Sequence, residues 1–372
     1  MKKTVACIML AVLLVFSFGC KQAEKEPEPT PTPEQTLEPT PEPTPTPEPE
    51  ANREDYSETT GLLKAEDYVY QPIGVMIENS NEARPQTNLN LADVVYECVA
   101  ESTITRFYCL FNDNYPKIAG PVRSARLYFI NINREWDGTL VHFGGPDDPT
   151  CPESYIYGSN SNDIPVRVDG MKGANASYFW RSKDRKAPHN AYTSVKKILD
   201  EKVDYTPKDR TFWDFALTEK DQANLYEGEE SFNEVSIPFL SKEDFVSYKY
   251  DAETNKLYRF MGGKQFMTVT VTEDENGKQT SKTEQVCCSN LIVQYAKQGV
   301  ISGDYGGRRQ ATLVGKGEAE YFINGKHIKG YWERKTQNEA TVYYTEDGEQ
   351  VTFMPGNTWV EVHPADKQIT VK

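Results

Sequence analysis

The sequence lacks the short motifs that identify many catalytic and metal-binding proteins. It contains no G-x-S-x-G elbow, no P-loop and no H-E-x-x-H pair, so it does not indicate the enzyme classes that depend on these motifs. Its four histidines are scattered and no C-x-x-C spacing is present, which argues against a structural zinc site. The residues therefore predict neither a metal nor a cofactor, and they leave open whether the protein is an enzyme.

Basic charge is also scarce. Lys and Arg number 41 against 56 Asp and Glu, which gives a formal net charge of −15 and a pI near 4.9. A nucleic-acid binder needs a basic face that neutralises phosphates, so we expect no nucleic-acid partner. Residues 21–55 alone carry ten acids against three bases, a net charge of −7. Nearly half of the acidity therefore lies in one short segment.

The N-terminal apolar run is too short to span a bilayer comfortably. Residues 1–19 contain two lysines, an apolar run from Val5 to Phe18, and then Gly19, which is the order of a signal peptide. A small residue followed by Cys20 resembles a bacterial lipobox, so we expect cleavage before Cys20 and lipidation of its thiol. Acyl chains there would hold the protein on the extracytoplasmic face of the cell membrane. An ordinary secreted protein is the alternative.

Proline, glutamate and threonine dominate residues 20–60. The segment 24–50 reads EKEPEPTPTPEQTLEPTPEPTPTPEPE. Such a segment has too little apolar area to bury and stays extended and polyproline-like. It predicts a lipid-anchored tether that lets the folded part stand up to roughly 90 Å from the membrane, at about 3.1 Å per residue.

The remainder of the 372 residues is long enough for two domains. We predict an α/β domain over residues 68–220. Strands are indicated at 73–77 and by the runs DVVYECVA and ITRFYCLF, although the first run also fits one face of a helix. A helix follows, because apolar residues recur at helical spacing between 125 and 136, with Ser124 as its N-cap.

Residues 235–372 show a different alternation. Aromatic and β-branched runs are joined by Asn276-Gly277, Asn324-Gly325 and Asp347-Gly348. These dipeptides supply the positive φ angles that two-residue hairpins require. We therefore predict a second domain of mostly antiparallel β-sheet, and α+β as the class of the whole chain.

Several stretches together resemble a known family. They are PIGVMIEN, ARPQTN, ADVVYE, ITRFY, GPVRSAR, VHFGG, RKAPHNAYTS, GYWERK and PGNTWVEVHP. From about residue 68 to the C-terminus the chain is similar to the YerB-like lipoproteins, both of whose domains are domains of unknown function. The resemblance implies a membrane-anchored envelope protein and implies no reaction.

The order of elements over residues 70–150 also resembles the LytR-CpsA-Psr envelope proteins, which handle polyprenyl-pyrophosphate-linked glycans. The Arg-Ser-Asp-Thr and Pro-Arg-Asp motifs of that family are not reproduced, since Thr105-Arg106 and Val122-Arg123-Ser124 lack the aspartates. This second resemblance implies a glycan phosphotransferase with a deep apolar groove beside Arg123 and a carboxylate-bound Mg²⁺. We keep it as an alternative function.

The stretch GPVRSARLYFIN, residues 120–131, suggests a binding site. Gly and Pro at its start predict a turn, and the free N–H groups of a helix beginning at Ser124 would form an anion site at that turn. Arg123 and Arg126 would lie at its rim, and their planar donors suit carboxylate or phosphate. The alternative is a bracing role, in ion pairs with Glu97, Glu101 or Asp137.

Three further residues join this predicted site because each lies in or next to a polar loop. The complete set of candidate ligand-binding residues is Arg84, Arg106, Arg123, Ser124, Arg126 and His189. Such a concentration in an acidic protein favours binding of an anionic envelope ligand, either a phosphoglycan or a lipid head group. The remaining alternative is a scaffold for an unknown protein partner, which predicts no cleft and a broad apolar patch.

Overall fold

The computed structural model describes residues 51–208, 210, 212–240, 245–274, 276–304 and 306–372. The predicted signal peptide, Cys20 and most of the predicted tether lie outside these residues. At the end of the predicted tether, Ser57, Thr59 and Thr60 are buried. Their hydroxyl groups donate to the carboxylates of Asp93 and Asp113. The folded part of the chain therefore already includes these three residues.

Strands make up most of the regular structure. The strands of the N-terminal half are β1 (Ile73–Glu78), β2 (Gln86–Thr87), β3 (Val94–Glu101), β4 (Ile104–Phe111), β5 (Thr139–His142), β6 (Arg167–Asp169), β7 (Phe179–Arg181), β8 (Ala191–Thr193) and β9 (Asp214–Phe215). The α-helices of the described residues are α1 (Leu127–Trp136), α2 (Val195–Lys202) and α3 (Glu219–Asn224). With so few helices, the α/β character expected for residues 68–220 is not confirmed, and the whole is not plainly α+β.

The C-terminal half is also built from strands. They are β10 (Glu230–Ser231), β11 (Glu234–Ile237), β12 (Val246–Asp251), β13 (Lys256–Met261), β14 (Lys264–Gln265), β15 (Met267–Glu273), β16 (Gln279–Gln285), β17 (Cys287–Cys288), β18 (Asn290–Ala296), β19 (Gln298–Val300), β20 (Arg309–Ala311), β21 (Gly315–Ile323), β22 (Lys326–Arg334), β23 (Val342–Thr345), β24 (Thr352–Phe353), β25 (Thr358–Pro364) and β26 (Thr370–Val371). The hairpin predicted at Asn324-Gly325 is confirmed: both residues have positive φ, 52° and 71°, between the antiparallel strands β21 and β22.

One mixed sheet of eleven strands runs through both halves of the chain. Its order is β10-β22-β21-β18-β25-β3-β4-β1-β5-β6, with β23 beside β22. The two halves meet where β25 pairs in parallel with β3. Strand β25 also pairs in parallel with β18, so the C-terminal half is not purely antiparallel.

Strand β3 shows why one apolar run fitted both a strand and a helix. Val95 and Val99 lie in one hydrophobic cluster, whereas Val94 and Cys98 lie in another. Because both faces of the strand are covered, apolar residues do not alternate with polar ones. The helical alternative for this run was therefore wrong, and periodicity alone could not exclude it.

A buried ion triad connects the two halves. Arg259 on β13 donates to Glu97 on β3 at 2.5 Å and to Glu361 on β25 at 2.6 Å, and all three side chains are fully buried. The two glutamates are direct partners in the β3–β25 register. Burial and the neighbouring charge of Glu97 raise the pKa of Glu361 well above its usual range. The guanidinium of Arg259 is thus shared between two buried carboxyl groups.

We expect Arg259→Met to lower the free energy of unfolding by about 3–5 kcal/mol, because buried carboxyl groups would lose their cation. Urea denaturation monitored by circular dichroism measures this change. Arg308→Met is the matched control, since Arg308 is 32% exposed and pairs with Asp304 alone, and its loss should be about 1 kcal/mol or less. Equal losses in the two variants would contradict a central role for the triad.

Candidate functional site

The segment before helix α1 is extended rather than helical. The N–H of Arg123 donates to the carbonyl of Met76, and the N–H of Ala125 donates to the carbonyl of Gly144. These bonds tie the segment to the chain on either side of it. The helix therefore begins at Leu127 with Arg126 at the N-cap position, and the prediction that Ser124 caps the helix is wrong.

Ser124 instead has a local role. Its hydroxyl donates to the carbonyl of Phe143 at 3.0 Å, and its own carbonyl accepts a bond from Arg106 at 2.8 Å. Both groups are thus engaged by neighbouring parts of the chain. Ser124 remains a candidate ligand-binding residue only by its position between the arginines.

Glu101, Arg106 and Arg126 form a first group, called here the Glu101 cluster. Arg106 projects from β4 and is 2% exposed, and it donates to Glu101 Oε1 at 2.9 Å. Arg126 donates to the other oxygen, Oε2, of the same carboxylate. Burial lowers the pKa of Arg126 to about 10, which still leaves it charged at neutral pH. One carboxylate therefore serves two guanidinium groups.

Glu78, Ser80, Arg123 and His189 form a second group, the Glu78 cluster. The carboxylate of Glu78, at the end of β1, is almost fully buried. Its Oε1 lies 2.9 Å from His189 Nδ1, 3.1 Å from Ser80 Oγ and 3.3 Å from Arg123 Nε. Since an ionised carboxylate only accepts, Nδ1 donates to it, and no partner for Nε2 of His189 is found among the described residues.

Arg84 lies beside the Glu78 cluster, and two asparagines are among its partners. Its guanidinium donates to the side chains of Asn79 and Asn81 at 3.1 and 2.6 Å. It also lies 5.7 Å from the centre of the Phe266 ring. Arg84 lines a cavity of about 240 Å³ whose floor includes Glu97 of the ion triad.

The two clusters adjoin, because Glu78 and Arg106 are direct partners in the β1–β4 register. Three arginines (Arg106, Arg123 and Arg126) thus lie near two carboxylates, Glu78 and Glu101, a local excess of one positive charge. The Nε atoms of Arg106 and Arg126 are buried without a hydrogen-bond partner in the described structure, as is Oε2 of Glu78, whereas Nε of Arg123 lies 3.3 Å from Glu78 Oε1. Protein groups therefore do not satisfy all the donors of the arginines.

These contacts do not describe the open, arginine-lined cleft that the sequence predicts. Arg106 and Arg126 are buried and paired with Glu101, which is one of the bracing partners that the sequence analysis named. Glu97 instead belongs to the ion triad. Glu78 is not among the binding residues that the sequence predicts. The signal that could have identified it is an acidic residue at the end of a buried strand.

The described residues bear on the alternative functions only in part. Among the described residues, no group of three or more His, Cys, Asp or Glu side chains is placed so that it could hold a metal ion. The apolar groove expected beside Arg123 has its nearest counterpart beside Arg126, in a cavity of about 200 Å³ whose walls include Leu127, Tyr128 and Ile301. In the part of the chain that the structure covers, no helix is both long and apolar enough to cross a bilayer.

Two of the four histidines should remain neutral well below their usual pKa. Burial lowers the pKa of both His142 and His363 to about 4. Between about pH 4 and 6.5 these two histidines bind protons only in the unfolded chain. Lowering the pH through this range should therefore lower the free energy of unfolding, by up to about 1.4 kcal/mol per pH unit for each histidine. Nitrogen-15 NMR of the imidazoles tests this, and titration of His142 or His363 near pH 6.5 would contradict it.

Family models match both halves of the chain. Residues 59–208 match the N-terminal domain of DUF3048, a protein family of unknown function, and residues 235–360 match the C-terminal domain of the same family. These matches include both clusters and two members of the ion triad, Glu97 and Arg259, and the second match ends one residue before Glu361.

Relatives are found among both curated proteins and solved structures. The chain is 31% identical over 308 residues to the putative lipoprotein YerB of Bacillus subtilis (strain 168), covering 81% of this chain and 84% of that protein. The crystal structure of the YerB protein from Bacillus subtilis is similar with a TM-score of 0.65 and 28% identity, covering 85% of this chain and 99% of that one. Their names state no reaction and no ligand.

Proposed function

Since this chain belongs to the YerB-like DUF3048 family, we propose that it is an extracytoplasmic lipoprotein, anchored through Cys20, that binds an anionic group of the cell envelope. The name of its Bacillus relative supports the lipid anchor. The binding residues in this proposal are Arg84, Arg106, Arg123, Arg126 and His189, with Ser124 between them.

The excess of positive charge at the two clusters carries the proposal. Three guanidinium groups, those of Arg106, Arg123 and Arg126, meet two carboxylates, and the Nε–H donors of Arg106 and Arg126 have no hydrogen-bond partner among the described residues. Donors that the protein leaves unpaired in a partly buried site favour an anion. Planar arginine donors match both phosphate and carboxylate, and the proposal takes phosphate because phosphoglycans and lipid head groups carry it.

The exposed fraction of each side chain indicates how it would contribute to binding. Arg123 and His189 have 28% and 24% of their side chains exposed, so these two can touch a ligand. Glu78 holds both of them in place through one oxygen atom. Arg106 and Arg126 are buried and contribute mainly their charge, which acts over several ångströms in a low-dielectric interior.

No contact favours the phosphotransferase alternative. The carboxylates nearest the arginines are Glu78 and Glu101, and both already accept bonds from cationic or imidazole groups. A carboxylate held in this way is a poor ligand for Mg²⁺, which prefers oxygen ligands and retained water. Binding is therefore the function that the geometry supports best.

Native mass spectrometry of the full chain, extracted in detergent from its own host membrane, tests the proposal. We expect a retained phosphate-bearing species on the wild type, reduced about tenfold in Arg123→Ala because a charge-assisted hydrogen bond is lost. Lys64→Ala is the control, since Lys64 is similarly exposed, also pairs with one carboxylate and belongs to neither cluster.

Defined probes then separate the two sources of phosphate. Calorimetry with glycerol 3-phosphate reports a soluble phosphoglycan-like group, and calorimetry with phosphatidylglycerol in detergent reports a lipid head group. A wild type that retains no ligand and gives no heat with either probe would overturn the proposal.

A further inference from the structure

Residues 171–189, called here the basic lobe, have the opposite charge from the rest of the chain. The lobe reads MKGANASYFWRSKDRKAPH and contains five basic residues against one acid, a net charge of +4. The whole chain carries −15. A concentration of cations in an acidic protein favours a negatively charged partner.

The lobe is fixed to the fold by one face. Strand β7 pairs with β8, and on the inner face Phe179 packs edge-on against Phe143 while Arg181 lies 5.0 Å from the centre of that ring. Arg185 donates to the carbonyls of Glu82, Arg84 and Pro85. These contacts hold the lobe in place and leave its outer face to solvent.

Two large apolar side chains of the lobe are exposed. Met171 is 63% exposed and Trp180 is 42% exposed. Trp180 stacks on Tyr192 of the neighbouring strand, so its ring is held in a fixed orientation. The other four tryptophans of the chain are buried at 3% exposure or less. An exposed tryptophan next to basic residues is typical of surfaces that contact a lipid interface.

Two lysines of the lobe have no opposing charge. Lys183 and Lys186 are exposed, and neither lies within ion-pair distance of a carboxylate in the described structure. Lys172 differs, because it pairs with Asp147 at 2.9 Å. The unpaired lysines lie in the loop that follows β7, the strand that carries Trp180, so charge and apolar surface occur close together in the chain.

We propose that the basic lobe docks the folded part of the protein onto an anionic lipid surface. Trp180 and Met171 enter the head-group region, while Lys183 and Lys186 contact lipid phosphates. The attraction of one basic residue to an anionic leaflet is weak alone. An N-terminal lipid anchor makes this contact intramolecular and so raises its effective concentration.

A membrane is favoured over a soluble polyanion because the relative YerB is named a putative lipoprotein and because the exposed aliphatic side chain of Met171 gains more from a lipid interface than from a hydrated polyanion. The inference uses the proposed lipid anchor and does not depend on the arginine clusters. Lys183 and Lys186 belong to neither cluster, so the two proposals can fail separately.

Trp180 provides the measurement, because it is the one exposed tryptophan of the five. The full chain is reconstituted into vesicles of phosphatidylcholine, with or without phosphatidylglycerol, and its tryptophan fluorescence is quenched with acrylamide. We expect about twofold weaker quenching and a blue shift in the anionic vesicles, both lost at high salt because screening weakens the attraction. Trp180→Phe should remove the response.

In the double variant Lys183→Glu/Lys186→Glu, acrylamide should quench the tryptophan fluorescence equally in both kinds of vesicle. The matched control is Lys278→Glu/Lys282→Glu, which makes the same charge change at exposed positions of the β15–β16 hairpin and should behave like the wild type. Equal quenching of the wild type in both kinds of vesicle would overturn the proposal. So would protection in anionic vesicles that persists in the Lys183/Lys186 variant.

Discussion

The fold depends on one buried cation. Arg259 lies between Glu97 and Glu361, at the point where a strand of the N-terminal half meets a strand of the C-terminal half. Two carboxyl groups placed side by side in a sheet interior would repel each other, or would both have to take up protons, without a shared guanidinium. The same three side chains therefore neutralise the interior and specify which two distant strands become neighbours.

Arg106 and Arg126 of the N-terminal half also share a partner, but there the guanidinium groups outnumber the carboxylates. In the triad two carboxyl groups share one guanidinium, whereas Glu101 serves both Arg106 and Arg126. The first arrangement is closed and fully buried, and the second retains positive charge close to solvent. This difference is what separates a structural ion network from a candidate binding site in the same sheet.

Sequence reasoning succeeded where the signal was local. Asn324-Gly325 identified a hairpin because positive φ at two successive residues is a requirement of the turn itself. It failed for Ser124, whose neighbours are held extended by Met76 and Gly144, a tertiary effect that no spacing reveals. It also could not show that Glu78 would gather Arg123 and His189, since these residues are far apart in the chain.

The parallel pairing of β3 with β25 sets the order in which the chain can fold. Residues 94–97 find their partners only at 358–361, so the centre of the large sheet is incomplete until nearly the entire chain is available. Contacts between such distant segments form slowly, because a long loop must close before they stabilise anything. A chain that lacks its last few dozen residues would therefore lose a central strand of the large sheet rather than an edge strand. The hydrophobic clusters on the two faces of β3 would then be exposed, which favours aggregation.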